Sequence, residues 1–576
     1  MNTTSKSTRL RKFQTIYKAL LRAAAVFLAE FYILWSLYQY VIKDHDEFRT
    51  QKWIGVAILA ALLIYIVTAA FTDREELARI RDFLRRQCSF EQIMLILLLV
   101  WYMVSCAAWS RLDDEPYFAY NDNRLLIVTM STFLFFPFAG LMGKHARRIM
   151  EGMVHFTMLA YTPFCAYCIY KYYRVEFFYF PSGWRLTRHS SNVSMQIGGN
   201  VNITAAASVV LFGLCLYMIM SKKRVLRILY IPAAVVHFTV TIITSSRTSF
   251  LSLLCFCVVT AFLFMRGILR NRERRTRIIG CLAAAALAGA LVFAGRFLLL
   301  RMFAHVYPQD LVRMEREARE AAEQAKIKEA ENRGWDFMKK KGIESIREHA
   351  AGEEAAAGKK TGAEASENAA KDTTASVPAS TSPSPARTGT SDAEKTVLTA
   401  GSSSARVKPE PRPVVKAEDE VDENGARKMN SLSGRIEVWK AAVRLIFSTH
   451  FKIRFGVTPA AIDRWLAKTL TNGAKPPHAH NIVLQVGCGT GVPGMLAFVL
   501  FLIGLIRRCL VLVFKKAEKL PAYFWIIPAI IMAILVIEMA EAMTFAMVRL
   551  NLAALYMLAG CCAWMDRAIM DGERTT

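Results

Sequence analysis

The sequence predicts an all-α, polytopic membrane protein of about twelve transmembrane helices, with a large external loop between helices nine and ten. Three observations lead to this fold class. Hydrophobic residues make up 54% of the 576-residue chain, and they are gathered into long uncharged runs. Short basic clusters separate these runs, and one long polar segment interrupts them. A run of about 20 apolar residues crosses a bilayer as a helix, because a helix bonds every backbone polar group internally.

The apolar runs define the predicted spans in order. The first run follows Arg9, Arg11 and Lys12 and exceeds the core of a signal peptide, and no small-residue cleavage site follows it. We therefore interpret it as a retained first span. The predicted spans are 17–42, 52–71, 91–110, 124–142, 149–170, 203–220, 226–245, 248–265, 278–296, 483–506, 522–541 and 543–564.

Charge sets the predicted orientation. The net charge is +26, which by itself would also suit a nucleic-acid-binding protein. Counting spans from a cytoplasmic N-terminus, however, places every strongly basic segment on one side of the membrane, whereas the alternate loops are mixed or acidic. This positive-inside pattern predicts a protein of the cytoplasmic (inner) membrane with both termini in the cytoplasm, and no nucleic-acid partner. The basic segments are 6–12, 74–86, 144–148, 222–227, 266–277 and 507–519.

Composition divides the chain into five predicted regions. The long external loop begins with a charged, alanine-rich stretch that is typical of a solvated helix. Its central part has almost no aromatic residues, and such a composition predicts disorder. The predicted regions are spans one to nine (1–296, with an external loop near 171–202), a charged external helix (297–350), a disordered insertion (351–428), a structured external loop (429–482), and spans ten to twelve with a cytoplasmic tail (483–576).

Two short helices are predicted in the structured external loop. "GRIEVWKAAVRLIF" places Ile436, Trp439, Val443 and Ile446 at helical spacing. This pattern predicts an amphipathic helix lying near the membrane. "PAAIDRWLAKTL", which begins at Pro459, predicts a second helix.

"VLQVGCGTG", at residues 483–491, resembles a strand that leads into a nucleotide-binding loop, as in soluble methyltransferases. That fingerprint requires a βαβ unit and an acidic residue about 20 positions later. Here no Asp or Glu lies between Gly487 and Glu518, and a predicted span follows directly. We therefore interpret Gly487 and Gly489 as small residues that allow close packing where a span begins.

An ordered set of short motifs resembles the O-antigen ligase and O-antigen polymerase superfamily. The resemblance covers mainly residues 245–500. A further stretch, "GGNVNITA" at 198–205, is similar to the family's asparagine-rich start of a span, but it lacks the proline usually found between the asparagines. The motifs are "SSRTSFLSL" (245–253), Gly434-Arg435 with Trp439, "FGVTP" (455–459), His480-Asn481, Leu484-Gln485, Gly491 and Gly494.

The resemblance implies a polytopic enzyme that transfers a glycan from a polyprenyl diphosphate carrier. Its partners would be the polyprenyl-diphosphate-linked glycan donor, a glycan or lipid-glycan acceptor, and membrane lipid. Such a transfer needs a base for the attacking hydroxyl and cations for the departing diphosphate. The structured external loop (429–482) contains no DxD motif, and its two acidic residues, Glu437 and Asp463, are far apart in the sequence. No metal and no cofactor is therefore expected, and arginine is the expected cation.

Three residues are predicted to carry the chemistry: Arg247, Arg435 and His480. Arg247 lies in a short turn between two spans, where an arginine that reaches lipid headgroups would be equally common, and the family motif favours catalysis. The resemblance also assigns Arg435 to the site. His480 is the candidate base, because imidazole titrates near neutral pH, with His478 as the alternative. The expected substrate-binding residues are Asn481, Arg185, Arg188, Arg454 and His478.

Several functions remain open at this point. A ligase, a repeat-unit polymerase and a protein O-oligosaccharyltransferase of the same superfamily differ in the acceptor. A membrane transporter or flippase is the alternative from another class, since Glu30, Glu538 and Glu541 lie within predicted spans and intramembrane carboxylates often line transport paths. Transporters tend to have repeated halves, and the large loop divides the predicted spans into nine and three.

Overall fold

A computed structural model of the chain is dominated by long helices, which confirms the predicted all-α class of membrane protein. The described residues are 89–110, 146–174, 201–221, 224–305, 432–470, 476, 478–516, 520–541 and 550–570, with short segments at 178–179, 185–188 and 195–197 and single residues or short stretches within 16–67 and 125–130.

The helices of the described part are numbered here in chain order. Two short 3₁₀ turns, Pro459–Ala461 and Ala522–Trp525, precede α9 and α11. The helices are α1 (Phe90–Trp109), α2 (Ala146–Tyr173), α3 (Val201–Ser221), α4 (Arg224–Ile243), α5 (Arg247–Ile268), α6 (Arg274–His305), α7 (Leu432–Ile446), α8 (His450–Phe455), α9 (Ile462–Thr469), α10 (Ile482–Phe514), α11 (Ile526–Glu541) and α12 (Leu550–Met570).

Six helical segments of the described part are long and apolar enough to cross a membrane: α1, α3, α5, α6, α10, and α11 together with the turn before it. Each coincides with a predicted span. The predicted spans 17–42, 52–71 and 124–142 lie mostly outside the described residues, as do the charged helix beyond residue 305 and the insertion at 351–428. Twelve spans therefore stays a prediction.

A small sheet lies in the predicted external loop near 171–202. Its strands are β1 (Phe178–Tyr179), β2 (Arg185–Arg188) and β3 (Met195–Ile197), paired antiparallel in the order β1-β2-β3. The sequence analysis expected no strand here. Apolar and aromatic residues in this loop can pair as short strands, and the sheet is an addition to the helical framework.

Helix α7 lies where the sequence predicts a helix, and its apolar residues are divided between a buried and an exposed surface. Val438, Ala441 and Leu445 are buried, whereas Ile436 and Val443 are 41% and 44% exposed. Helix α7 packs on α10, and small alanine side chains let two helices approach closely. The alanines therefore form the contact face together with Val438, Leu445 and Ile446, whereas Ile436 and Val443 point outward.

Helix α10 is broken where the "GCGTG" stretch ends. Residues 482–490 are helical, so they do not form the strand that a nucleotide-binding loop would need. Gly491 then adopts φ 73°, and the helix resumes after it. The backbone of α8 packs against this break: the Val457 N–H donates to the Cys488 carbonyl at 2.7 Å, and a Cβ on Gly491 would lie 2.5 Å from the Arg454 carbonyl oxygen.

Helix α1 fixes the break from the other side. The Trp101 indole N–H lies within hydrogen-bond distance of the carbonyls of Arg454, at 2.9 Å, and Thr490, at 3.0 Å. Trp109 donates to the Gly456 carbonyl at 3.0 Å, and Ser105 donates to that of Phe455. Residues 454–457 are thus tied to α1 and α10 through their backbone.

At the opposite end of α10, charged side chains join three helices. The Arg508 guanidinium donates to both carboxylate oxygens of Glu91 on α1, at 2.7 and 3.0 Å, and to Asp566 on α12 at 3.2 Å. Lys516 also pairs with Asp566, at 2.6 Å. Two-point arginine–carboxylate contacts fix geometry as well as charge, so these helix ends are held in register.

We expect Gly491→Ala to lower the free energy of unfolding by at least about 1–3 kcal/mol, because a positive φ is strained for a residue with a Cβ and the added atom would overlap the Arg454 carbonyl. Thermal and denaturant unfolding of the detergent-solubilised protein would measure this. Gly152→Ala on α2 is the matched control, since nothing lies within 4 Å of its Cβ position. Equal stability of the two variants would contradict the assigned geometry of the break.

Candidate functional site

Two residues on one face of α7 reach the candidate site. Arg435 and Trp439 are four residues apart, so they lie one above the other along the helix. The Arg435 guanidinium donates to the Glu541 carboxylate through Nη2 and to the Thr248 hydroxyl through Nη1, the latter at 3.2 Å. The Trp439 indole N–H donates to the carbonyl of His480 at 3.2 Å. The Gly-Arg-Trp motif therefore connects α7 to three other parts of the chain.

Glu541, the last residue of α11, is the centre of this arrangement and is only 1% exposed. Its Oε1 accepts from Arg435, from the Asn202 amide at 3.0 Å, and from the Thr248 hydroxyl at 3.5 Å. Its Oε2 faces the His480 ring, with Nδ1 3.7 Å away. One carboxylate oxygen of Glu541 thus contacts the Arg435 guanidinium, and the other faces the His480 imidazole.

The backbone of residues 478–481 determines where His480 points. Asn481 caps α10, because its Oδ1 accepts from the N–H groups of Val483 and Leu484 at 3.0 and 3.1 Å. The Gln485 side chain accepts from the Ala479 N–H at 2.8 Å. His480 itself has φ 52°, an uncommon value for a residue with a side chain. These bonds hold that conformation in place.

The two candidate bases have different surroundings. The His480 side chain is 16% exposed, whereas His478 is buried. The His478 Nδ1 accepts from the backbone N–H of His480 at 3.1 Å, and the ring centroids are 4.1 Å apart. In this arrangement His478 holds the backbone of His480, whose own Nδ1 lies 3.7 Å from Glu541 and forms no hydrogen bond within the described part of the chain.

The remaining predicted site residues are Arg247, Arg454, Arg185, Arg188 and Asn481. Arg247 begins α5, next to Thr248, and its side chain is exposed. Arg454 is also exposed, and its carbonyl belongs to the break in α10. The backbones of Arg185 and Arg188 lie in β2, and their side chains are outside the described part of the structure. The Asn481 amide is engaged in the helix cap and also donates to the Met539 carbonyl at 3.3 Å.

Three side chains around Glu541, its own included, could hold a metal ion. The ligand atoms of His478, His480 and Glu541 all lie within 4.8 Å of one another, and zinc commonly takes such nitrogen and oxygen ligands. The spacing of residues along the chain did not show this group, because Glu541 belongs to a distant helix. A metal ion here would have to share the Glu541 carboxylate with the Arg435 guanidinium.

Sequence analysis missed Glu541, Thr248 and Asn202 as parts of the site. Glu541 had been noted as an acidic residue within a predicted span, and such a residue is by default a functional candidate. Asn202 lies in the "GGNVNITA" stretch, which departs from the family pattern. Thr248 lies inside the "SSRTSFLSL" motif but carries no charge to single it out.

A further basic group lies on the neighbouring short helices. The ammonium groups of Lys452 and Lys468 lie 4.0 and 4.9 Å from the centre of the Trp465 ring. Burial, and secondly the charge of Lys468, lower the pKa of Lys452. These cations give α8 and α9 a positive surface beside Trp465.

Comparison with known proteins points to the same superfamily as the motifs. The family described as O-antigen ligase matches residues 412–499. This segment contains α7, α8, α9 and the first part of α10, with Arg435 and His480. No curated protein matches the chain. The resemblance to the O-antigen ligase superfamily is therefore confirmed, and it supports glycan transfer as the class of activity.

A double-mutant cycle should show that Arg435 and Glu541 interact energetically. We expect Arg435→Gln and Glu541→Gln to give a coupling energy of about 1–3 kcal/mol in the free energy of unfolding, because each single variant leaves one member of the pair unmatched. Denaturant unfolding of the wild type, both single variants and the double variant would measure it.

The control for this cycle is Arg435→Gln combined with Glu91→Gln, whose carboxylate pairs with Arg508 at the other end of α10. That combination should be additive within about 0.5 kcal/mol, as for distant sites in general. A coupling energy of Arg435 with Glu541 as small as this control value would show that the contact contributes nothing measurable.

Proposed function

We propose that the protein transfers a glycan from a polyprenyl-diphosphate carrier to an acceptor hydroxyl at the outer face of the cytoplasmic membrane, as an O-antigen ligase-like enzyme. The observation that carries the proposal is the cluster of Arg435, Glu541 and His480. In this cluster the buried carboxylate of Glu541 lies between the Arg435 guanidinium, a permanent cation, and the His480 imidazole. These are the two groups that the reaction requires.

The donor diphosphate binds to arginine. A guanidinium has five N–H donors in a rigid fork, and the bonds of Arg435 to Thr248 and Glu541 use two of them. The remaining donors are available for phosphate oxygens. Arg247 is exposed one residue before Thr248, so a second guanidinium is within the same region. Together they stabilise the negative charge that develops as the diphosphate departs.

His480 accepts the proton of the acceptor hydroxyl. The hydroxyl oxygen forms a bond with the anomeric carbon of the donor glycan, and the bond between that carbon and the diphosphate oxygen breaks. The proton passes to His480 Nε2, and polyprenyl diphosphate leaves. Glu541 Oε2 lies 3.7 Å from Nδ1, too far for a hydrogen bond, and its negative charge stabilises the imidazolium that forms.

Arginine takes the role that a metal ion has in many phosphate-dependent transferases. The Arg435 guanidinium already neutralises Glu541, which makes the carboxylate a weaker ligand for a second cation. The reaction that we propose is therefore independent of metal. This part of the proposal rests on charge competition at one carboxylate.

The carrier lipid reaches the site along α7. Ile436, Val443 and Phe447 are exposed apolar residues spaced by seven and four positions, so they form one stripe on this helix and its end. The stripe begins next to Arg435. A polyprenyl chain lying against it would hold its diphosphate at the guanidinium.

The other activities of the superfamily differ from the proposed one in the acceptor that receives the glycan. A repeat-unit polymerase or a protein O-oligosaccharyltransferase would use the same cluster with another hydroxyl. Of the acidic residues that gave weight to a transporter, Glu541 lies in this cluster and Glu30 accepts from the Thr157 hydroxyl at 2.6 Å. The contacts of Glu541 gather at a helix end and favour an enzyme site, whereas Glu30 and Glu538 lie within helices and do not distinguish the two classes.

Replacing His480 by Ala should lower the transfer rate by about 10²–10⁴, the usual contribution of a general base, while donor binding persists. Release of polyprenyl diphosphate in proteoliposomes would measure the rate, and binding of radiolabelled donor would be measured separately. The activity of the wild type should be unchanged by a chelator.

Two outcomes would redirect the assignment. Full activity of His480→Ala, with a larger loss in His478→Ala, would transfer the role of base to His478. Loss of wild-type activity with chelator, recovered by adding a divalent metal, would make His478, His480 and Glu541 a catalytic metal site instead.

The proposed orientation is tested by labelling. In a background without accessible natural cysteines, a thiol at Lys468 should react with an impermeant reagent applied to the outer face of the membrane. A thiol at Asn271, in the turn between α5 and α6, should react only after permeabilisation. The reverse pattern would place the site in the cytoplasm.

A further inference from the structure

An apolar cavity, partly open to the surroundings, lies between α2, α3, α11 and α12. Its walls are almost entirely hydrocarbon or sulfur, with polar groups near Arg147 only. Within a membrane protein, a space of this kind between helices is open to lipid rather than to water. The apolar walls are formed chiefly by Met150, Val154, Leu214, Phe524, Ile527 and Leu558.

The cavity continues toward the middle of the membrane. A second cavity shares four wall residues with it, among them Met150 and Leu558, and extends to Thr157. The helix rise of about 1.5 Å per residue makes the distance from Arg147 to Thr157 along α2 about 15 Å. That depth is about half of the bilayer's hydrocarbon thickness of about 30 Å, or one leaflet.

The guanidinium of Arg147 lies at the polar end of the cavity. Arg147 donates through Nε to Glu151 at 3.1 Å, and its guanidinium lies 4.7 Å from the centre of the Tyr523 ring. Within the described part of the chain, its two terminal amino groups form no hydrogen bond. Arg148, the next residue, is exposed. The mouth therefore offers guanidinium donors at the basic end of the helices.

This cavity is distinct from the proposed glycan-transfer site. Along α11, Ile527 and Glu541 are about 21 Å apart, and along α3, Tyr217 and Asn202 are about 22 Å apart, at about 1.5 Å per residue. The two sites therefore lie at opposite ends of the same helices. A donor whose diphosphate is held near Glu541 cannot also place its phosphates at Arg147.

We propose that the cavity binds one acyl chain of an anionic phospholipid from the leaflet at the basic end, with the lipid phosphate at Arg147 and Arg148. The apolar walls match the chain, the depth matches one leaflet, and arginine is suited to phosphate oxygens. The bound chain fills the space between α2 and the helices α3, α11 and α12. The lipid therefore supports the packing of α2 and takes no part in glycan transfer.

The first test fills the cavity with a larger side chain. Native mass spectrometry of the purified protein with dioleoyl phosphatidylglycerol should show one tightly retained lipid. Val154→Phe fills the region that both cavities share and should weaken its binding at least about tenfold, the effect of about 1.4 kcal/mol. Leu159→Phe is the matched control on α2, because Leu159 is 59% exposed on the outside of the helix, and it should leave binding unchanged.

The second test concerns the headgroup. Dioleoyl phosphatidylcholine should bind more weakly than phosphatidylglycerol. Replacing Arg148 by Gln should reduce this preference about fivefold, since one surface arginine contributes about 1 kcal/mol toward an anionic lipid. Arg147→Lys, which keeps a charge beside Glu151, should also reduce it, through loss of the fork.

Several outcomes would overturn the proposal. Equal losses from Val154→Phe and Leu159→Phe would indicate lipid around the protein only, and equal binding of both headgroups would remove the role of the arginines. Competition by glycerol phosphate as strong as by the lipid would indicate a phosphate site without a chain site. If Val154→Phe does not fold, Leu214→Phe on the facing wall replaces it, and unchanged lipid binding there would be equally decisive.

Discussion

The buried carboxylate of Glu541 is the constraint on which the site depends. Removing a carboxylate from water costs several kcal/mol unless charge and hydrogen bonds compensate for it. Arg435, Thr248 and Asn202 supply that compensation on one oxygen. Because these residues come from α7, α5 and α3, the ends of four helices must meet at one point, and the site is where they meet.

Backbone strain lies next to this carboxylate and at the motifs that identify the family. Among the described residues, Ser245, Thr458 and His480 are the non-glycine residues with positive φ. Each lies in a different motif: "SSRTSFLSL", "FGVTP" and His480-Asn481. Such conformations persist only where the surroundings hold them. Bonds such as that between the Ala479 N–H and Gln485 hold His480, so the candidate base is preorganised.

Much of the framework could be predicted from the sequence, because the bilayer requires long apolar helices and these are visible as runs. Arg435 and His480 could be found because their motifs are local. Glu541 could be noticed but not assigned, since its partners lie far away along the chain. The amphipathic pattern of α7 did not show which of its residues meet α10, because packing against α10 selects the small Ala441 and Ala442 over the more hydrophobic Ile436.

The break in α10 is held by α1, and this helix pair also carries the contacts around His480. The first part of α10 carries His480 at its start and is joined through Thr490 and Arg454 to Trp101 on α1. The far end of α10 is joined to α1 again, through Arg508 and Glu91. Helices α1 and α10 are therefore joined near Arg454 at one end and through Arg508 and Glu91 at the other. A base positioned in this way needs little reorganisation when charge develops in the transition state, which is the condition under which electrostatic stabilisation is most effective.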